Sequence, residues 1–70
     1  MEDELVAIND PDAIVLFDIL HSTNEERYVA IGRSEDSVLF VSFTMRDEVE
    51  RIISVRKAER EEEELYWEQF

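Results

Sequence analysis

Arginine is the side chain here with the most chemistry to offer. Its guanidinium stays charged and presents a planar fork that matches two oxygens of a phosphate or carboxylate. Positions 27–57 hold Arg27, Arg33, Arg46, Arg51, Arg56 and Lys57 against five acids. The 26 residues before them hold eight acids and no Lys or Arg, and the 13 after them hold six acids and Arg60. A net charge of −12 therefore conceals a basic middle. One reading is an anion site inside an acidic perimeter. The other is ordinary surface charge, with arginines paired to nearby acids, for example Arg56 with Glu62. Arg27, Arg51 and Arg56 are the leading candidates, because each falls near the end of an expected strand. Arg33 and Arg46 flank connectors and read as solvent charges.

Two more side chains stand at helical spacing. Glu62 and Tyr66 are four residues apart and face the same way on a helix. Tyr66 either takes part in proton transfer or packs with its hydroxyl satisfied at a rim. His21 is the one histidine, in a polar stretch. It reads as an exposed loop residue, or as a proton carrier by virtue of its near-neutral pKa. The run Glu61–Glu64 reads as a solvated helix face rather than a metal site, because adjacent helical residues do not converge. Trp67 and Phe70 are either core or an anchor for a partner.

Composition removes whole classes of function. With no Cys there is no disulfide framework and no thiolate zinc site, and with one Gly there is no glycine-rich phosphate loop or nucleophile elbow. No metal or cofactor is expected. No apolar run nears the roughly 20 residues of a membrane span, and the N-terminus is acidic. A soluble, cytoplasmic chain without membrane contact is expected. Seventy residues make a single domain over 1–70, and 44% hydrophobic content is too high for a solvating tail. A domain this small has a thin core, which favours a homo-oligomer, with a dimer preferred.

The elements that would hold those side chains follow from periodicity. Glu2–Asn9 suits a short helical turn, stopped by Asn9-Asp10-Pro11-Asp12. Ala13–Leu20 is a compact, β-rich apolar run and reads as a strand. Residues 27–33 alternate, with Val29 and Ile31 on one face and Tyr28, Ala30 and Gly32 on the other. Val38–Met45 is apolar on both faces at its start and reads as a central strand. Val49–Lys57 follows after a tight connector, with Val49, Arg51, Ile53 and Val55 on one side and Glu50, Ile52, Ser54 and Arg56 on the other. Ala58–Phe70 turns helical, with Ala58, Glu62, Leu65, Tyr66 and Gln69 stacked on one face.

The expectation is an α+β domain: an antiparallel β-meander of three or four strands with a C-terminal α-helix packed on one face. One helix covers one sheet face, so the other is expected to lie bare, carrying Tyr28 and Phe40, and to be buried by a second copy. Neighbouring strands run in opposite directions, and on this phasing Arg27 and Arg56 meet at one edge of the sheet.

With these elements laid out, a family resemblance becomes visible. Glu25-Glu26-Arg27-Tyr28-Val29-Ala30-Ile31-Gly32-Arg33-Ser34 resembles the "EERf.aiG.S" strand of BrnT-type toxins. Arg51-Ile52-Ile53-Ser54-Val55-Arg56-Lys57-Ala58 resembles that family's "RiISaR.A". Glu62 and Tyr66 fall where the family's terminal helix has Glu and Tyr, and Asn9-Asp10-Pro11 with Ile14-Val15-Leu16 is similar to its "f.DP.a" segment. The resemblance runs from about Ile8 to Tyr66. The family's opening "F.WD..K...N..KHG" stretch has no counterpart here, so the resemblance implies an N-terminally short member.

The resemblance implies the toxin half of a type II toxin–antitoxin pair, with a RelE-like ribonuclease fold. It implies RNA cleavage that halts translation and, as partner, a DNA-binding antitoxin. RNA cleavage without metal needs a base for the ribose 2′-OH, cations for the pentacovalent phosphorane and an acid for the leaving oxygen. On the resemblance, Arg27, Arg51 and Arg56 hold and stabilise phosphate, while Glu62 and Tyr66 assist proton transfer or positioning. The alternative function is a catalytically silent, truncated relative serving as a dimeric protein–protein interaction module.

Overall fold

The computed structural model describes residues 3–20 and 25–70. His21 lies outside the described residues. The chain order is α1 (Asp3–Ile8), β1 (Ile14–Phe17), β2 (Arg27–Ser34), β3 (Ser37–Arg46), β4 (Val49–Lys57) and α2 (Arg60–Trp67). The strands form one antiparallel sheet in the order β1-β2-β3-β4, the expected α+β meander.

Local chemistry explains the boundaries. The Asp10 side chain accepts the Asp12 backbone N–H at 3.0 Å, and Ala13 N–H bonds the Asp10 carbonyl at 2.9 Å. Together with Pro11, these bonds end α1 and turn the chain into the sheet. β1 is shorter than the apolar run that encodes it. Asp18 N–H still donates to the Arg27 carbonyl at 2.8 Å, but β2 starts at Arg27, and Ile19 and Leu20 stand 77% and 88% exposed. Hairpin β2–β3 turns at Glu35, which takes φ 56°. Hairpin β3–β4 turns at Asp47 and Glu48 with φ 54° and 66°, the two positive values of a type I′ turn. α2 starts at Arg60 rather than Ala58, because Ala58 N–H still donates to the Val38 carbonyl at 2.9 Å. Glu62 then accepts the Glu59 backbone N–H at 2.8 Å, one arm of a capping box.

Each sheet face has its own helix, which corrects the expectation of a bare face. Ala7 of α1 packs with Ala30, Leu39, Val41 and Phe43, and Tyr28 lies against that cluster. Tyr66 of α2 packs on Val29, Ile31 and Val38, with Phe40 alongside. Tyr28 and Phe40 thus lie on opposite faces. Residues paired across an antiparallel ladder share a face, and Tyr28 pairs with Phe43 while Phe40 pairs with Ile31. Gly32 lets α1 approach closely, since a Cβ there would meet the Ala7 carbonyl oxygen at 2.0 Å.

The alternation expected for β4 also fails, at one residue. Ser42 pairs with Ser54 but Phe43 pairs with Ile52, leaving Ile53 as a bulge. The extra residue inverts the phase of everything before it. Ile52 therefore joins Val55 on the α1 face, and Arg51 joins Ser54 and Arg56 on the α2 face.

Candidate functional site

The ladder registers place Arg27, Arg33, Arg46, Arg51 and Arg56 all on the α2 face. Arg27 and Arg51 both pair with Thr44, Arg56 pairs with Phe40, Arg33 with Val38 and Arg46 with Val49. These are five of the seven basic residues of a chain with net charge −12.

α2 covers only part of this face. Beyond it one row runs Asp18, Arg27, Thr44, Arg51 across four strands, and the next runs Leu16, Val29, Ser42, Ser54. Thr44 and Val29 are buried, whereas Leu16, Arg51 and Ser54 on the outer strands are exposed. Neighbouring strands lie about 4.8 Å apart, so the Arg27 and Arg51 Cα atoms are about 10 Å apart, with buried Thr44 between them in the ladder. The open area is apolar toward β1 and hydroxyl-bearing and cationic toward β4. A hollow of about 300 Å³ on its apolar side is lined by Leu16, Phe17, Asp18, Val29 and Phe40.

The expected meeting of Arg27 and Arg56 does not occur. β2 and β4 each run antiparallel to β3 and so parallel to one another. Their entry arginines, Arg27 and Arg51, share one end, and Arg56 stands toward the other.

Arg56 is held by its neighbours. Its Nη1 and Nη2 donate to Glu62 Oε1 and Oε2, both at 2.9 Å, and Nη1 also donates to the Lys57 carbonyl at 3.1 Å. The guanidinium lies 4.0 Å from the Phe40 ring centroid. The hydrogen bonds from Arg56 hold the Glu62 carboxyl below the ordinary range, partial burial opposes them, and the Glu59 N–H and the Arg56 charge reinforce them. The same pair raises the Arg56 pKa further. The bidentate fork thus joins the last strand to the first turn of α2. Arg51 pairs with no acid among the described residues, whereas Arg46 pairs with Glu25 at 2.8 Å.

Tyr66 is 2% exposed, and its hydroxyl donates to Asp10 Oδ2. Asp10 Oδ2 also accepts the Arg33 backbone N–H at 2.9 Å. Burial, then the hydrogen bond and charge of Asp10 and the charge of Asp12, push the Tyr66 phenol up to about 12, with Arg33 opposing. Burial also acts upward on Asp10. The bonds from Tyr66, Asp12 and Arg33 and the Arg33 charge outweigh it, and the carboxyl ends below its usual value. Tyr66 is thus tied to the turn after α1, at the end of β2 remote from Arg27. Arg33, read from sequence as a solvent charge, lies 5.8 Å from the Trp67 ring centroid, so it borders α2. A larger hollow of about 530 Å³, lined by residues including Asp10, Pro11 and Arg33, belongs to this remote end.

Asp10, Asp18 and Thr44 do not stand out in the sequence as site residues. Asp10 was legible only as part of a turn. Asp18 is a carboxylate closing an apolar run, a mismatch of type that marks it for attention. Thr44 has no signal until the register puts it between two arginines. Among the described residues, no three His, Cys, Asp or Glu side chains gather to hold a metal ion.

The fold and the site together define a small α+β meander domain with a cationic sheet face in an acidic molecule. The chain belongs to the BrnT toxin family: residues 1–62 match the family described as ribonuclease toxin, BrnT, of type II toxin–antitoxin systems. No curated protein and no solved structure matches it. The matched segment contains Arg27, Arg51, Arg56 and Glu62 and ends before Tyr66. Membership makes the chain a ribonuclease toxin of a type II pair, with an antitoxin as partner, and gives no support to the interaction-module alternative. Among the described residues no helix is long and apolar enough to cross a membrane.

Proposed function

We propose that the chain cleaves RNA without a metal ion, on the open half of the α2 face, and thereby inhibits translation. The observation that carries this reading is the Ile53 bulge, which puts Arg51 beside Thr44 and across from Arg27 on the face that also holds Arg56. In this reading Arg27 and Arg51 bind the scissile phosphate. Their charge stabilises the phosphorane, where preorganised cations act most strongly. The hydroxyls of Ser42 and Ser54 supply neutral hydrogen bonds along the same strip. Arg56 contributes positive field from a fixed position.

Glu62 and Tyr66 serve as positioning residues in this scheme. A carboxylate held ionised by two guanidinium bonds is a weak proton acceptor, and a phenol near pKa 12 is a weak proton donor at neutral pH. Glu62 aims Arg56, and Tyr66 docks α2 so that the open half keeps its shape. The antitoxin neutralises the toxin by covering this face or by holding the chain away from ribosomes.

The test is cleavage of a single-stranded RNA by purified, folded protein in EDTA. The reading predicts cleavage that Arg51→Ala reduces at least about a hundredfold, the scale of removing one preorganised stabilising group, with folding intact. Cleavage unchanged in that variant would remove the phosphate site from this face.

A further inference from the structure

We infer that the hollow lined by Leu16, Phe17, Asp18, Val29 and Phe40 seats a guanine base, so that the toxin selects its RNA at guanine. The inference deepens the proposed ribonuclease reading and rests on it for the phosphate end only.

The hollow measures about 300 Å³, the small end of ligand pockets and suited to a single base. Its lining is apolar apart from Asp18, so it offers a dry surface for a base face with one polar group for an edge. Asp18 sits across the ladder from Arg27, which continues the row to Thr44 and Arg51. A base in the hollow therefore has the phosphate strip beside it on the same sheet face.

Asp18 sets the identity. A carboxylate only accepts, and it matches two adjacent N–H donors. Guanine carries such a pair, N1–H and N2–H, on its Watson–Crick edge. Adenine and cytosine each offer one amino group beside a ring-nitrogen acceptor, and uracil one N–H flanked by carbonyls that a carboxylate repels. Single-stranded RNA exposes this edge to such readout. Asp18 already makes another interaction. A carboxylate has about four acceptor sites, so it can engage a base while keeping its neighbour.

The test is an amide NMR titration of the full chain with the 5′-monophosphates of guanosine, inosine, adenosine and cytidine. Inosine lacks only the N2 amino group. Guanosine monophosphate is expected to shift the amides of Leu16, Asp18, Val29 and Phe40. It should bind about fivefold or more tighter than inosine monophosphate, the worth of about one net hydrogen bond. Asp18→Asn replaces one acceptor by a donor and should erase the guanosine–inosine difference. Leu16→Asn, at a half-exposed position, should weaken all four nucleotides alike and so guards against a folding defect in the first variant. Equal binding of the four nucleotides, shifts at other amides, or a guanosine–inosine ratio unchanged in Asp18→Asn would each overturn the inference. Guanine-selective binding without RNA cleavage would leave it standing and sink the ribonuclease reading. Cleavage with no preference for guanine would do the reverse.

Discussion

Replacing Tyr66 by Phe isolates one atom. The ring stays among Val29, Ile31 and Val38, and only the hydroxyl that donates to Asp10 is lost. A hydrogen bond to a charged acceptor contributes about 1.5–3 kcal/mol. Asp10 keeps the Arg33 and Asp12 backbone donors at 2.9 and 3.0 Å, so its charge is not orphaned, and we place the cost at about 2 kcal/mol. For a domain of this size each kcal/mol lowers Tm by about 4–8 °C, which makes the expected fall about 8–16 °C.

The same hydroxyl also sets an alkaline signature. The folded phenol titrates near 12 against an ordinary 10.0. The folded state therefore holds its proton more tightly, and the resulting stability is full below about pH 10 and lost as pH rises through 12. Two pH units correspond to at most about 3 kcal/mol. Urea unfolding at pH 7 and from pH 9 upward, on both proteins, is the assay. Wild type should lose stability across this window by more than Tyr66→Phe does. If Tyr66→Phe kept its stability at pH 7 yet lost RNA cleavage, the positioning argument would be refuted and Tyr66 would be a catalytic residue.

Other perturbations separate the remaining contributions. Glu62→Gln keeps an acceptor for the Glu59 N–H but breaks the ion pair. Arg56 is 45% exposed there, so solvent screening limits the loss to about 0.5–1 kcal/mol; Glu62→Ala should cost about 1 kcal/mol more through the lost cap, both read from urea midpoints. In acid, Asp10 and Glu62 both titrate below their ordinary values. Their stabilisation is full above the unfolded carboxylate range and is lost as pH falls through the folded values, so Glu62→Gln should flatten the decline below about pH 4.5. Gly32→Ala should destabilise by about 3 kcal/mol or more, because the Ala7 carbonyl, backbone rather than side chain, must move; circular dichroism melting reads this. Replacing Asp47-Glu48 by Asn-Gly should stabilise by about 1 kcal/mol, since both positions have positive φ; a rise in urea midpoint at unchanged slope is the check.

The strands and the terminal helix were legible because they rest on local pattern: alternation in 27–33, a doubly apolar run at 38–45, and strong helix formers after Ala58. The Asn-Asp-Pro-Asp stop was legible because turn chemistry is local too. What failed depends on the pairing of distant segments. The positions of Tyr28 and Phe40 relative to each other follow from register, which no single strand reveals. The Ile53 bulge has no residue signature, being an Ile in a β-branched stretch, yet it decides which face carries Arg51. The cover that α1 gives one face comes from six residues that would be marginal as an isolated helix and hold through contact at Gly32. Residue type and position alone single out the candidate arginines. That Arg27 joins Arg51 while Arg56 is held by Glu62 required the sheet.

An end-labelled single-stranded RNA incubated with the folded protein in EDTA, wild type beside Arg51→Ala, tests whether the open half of the α2 face cleaves RNA. Arg51 is exposed and unpaired with any acid among the described residues, so its removal should shift stability by no more than about 0.5 kcal/mol. Wild type should cleave, and the variant should cleave at least about a hundredfold less, at matched urea midpoints. Cleavage that is absent from folded wild type, or equal in the two proteins, would contradict a site on that face.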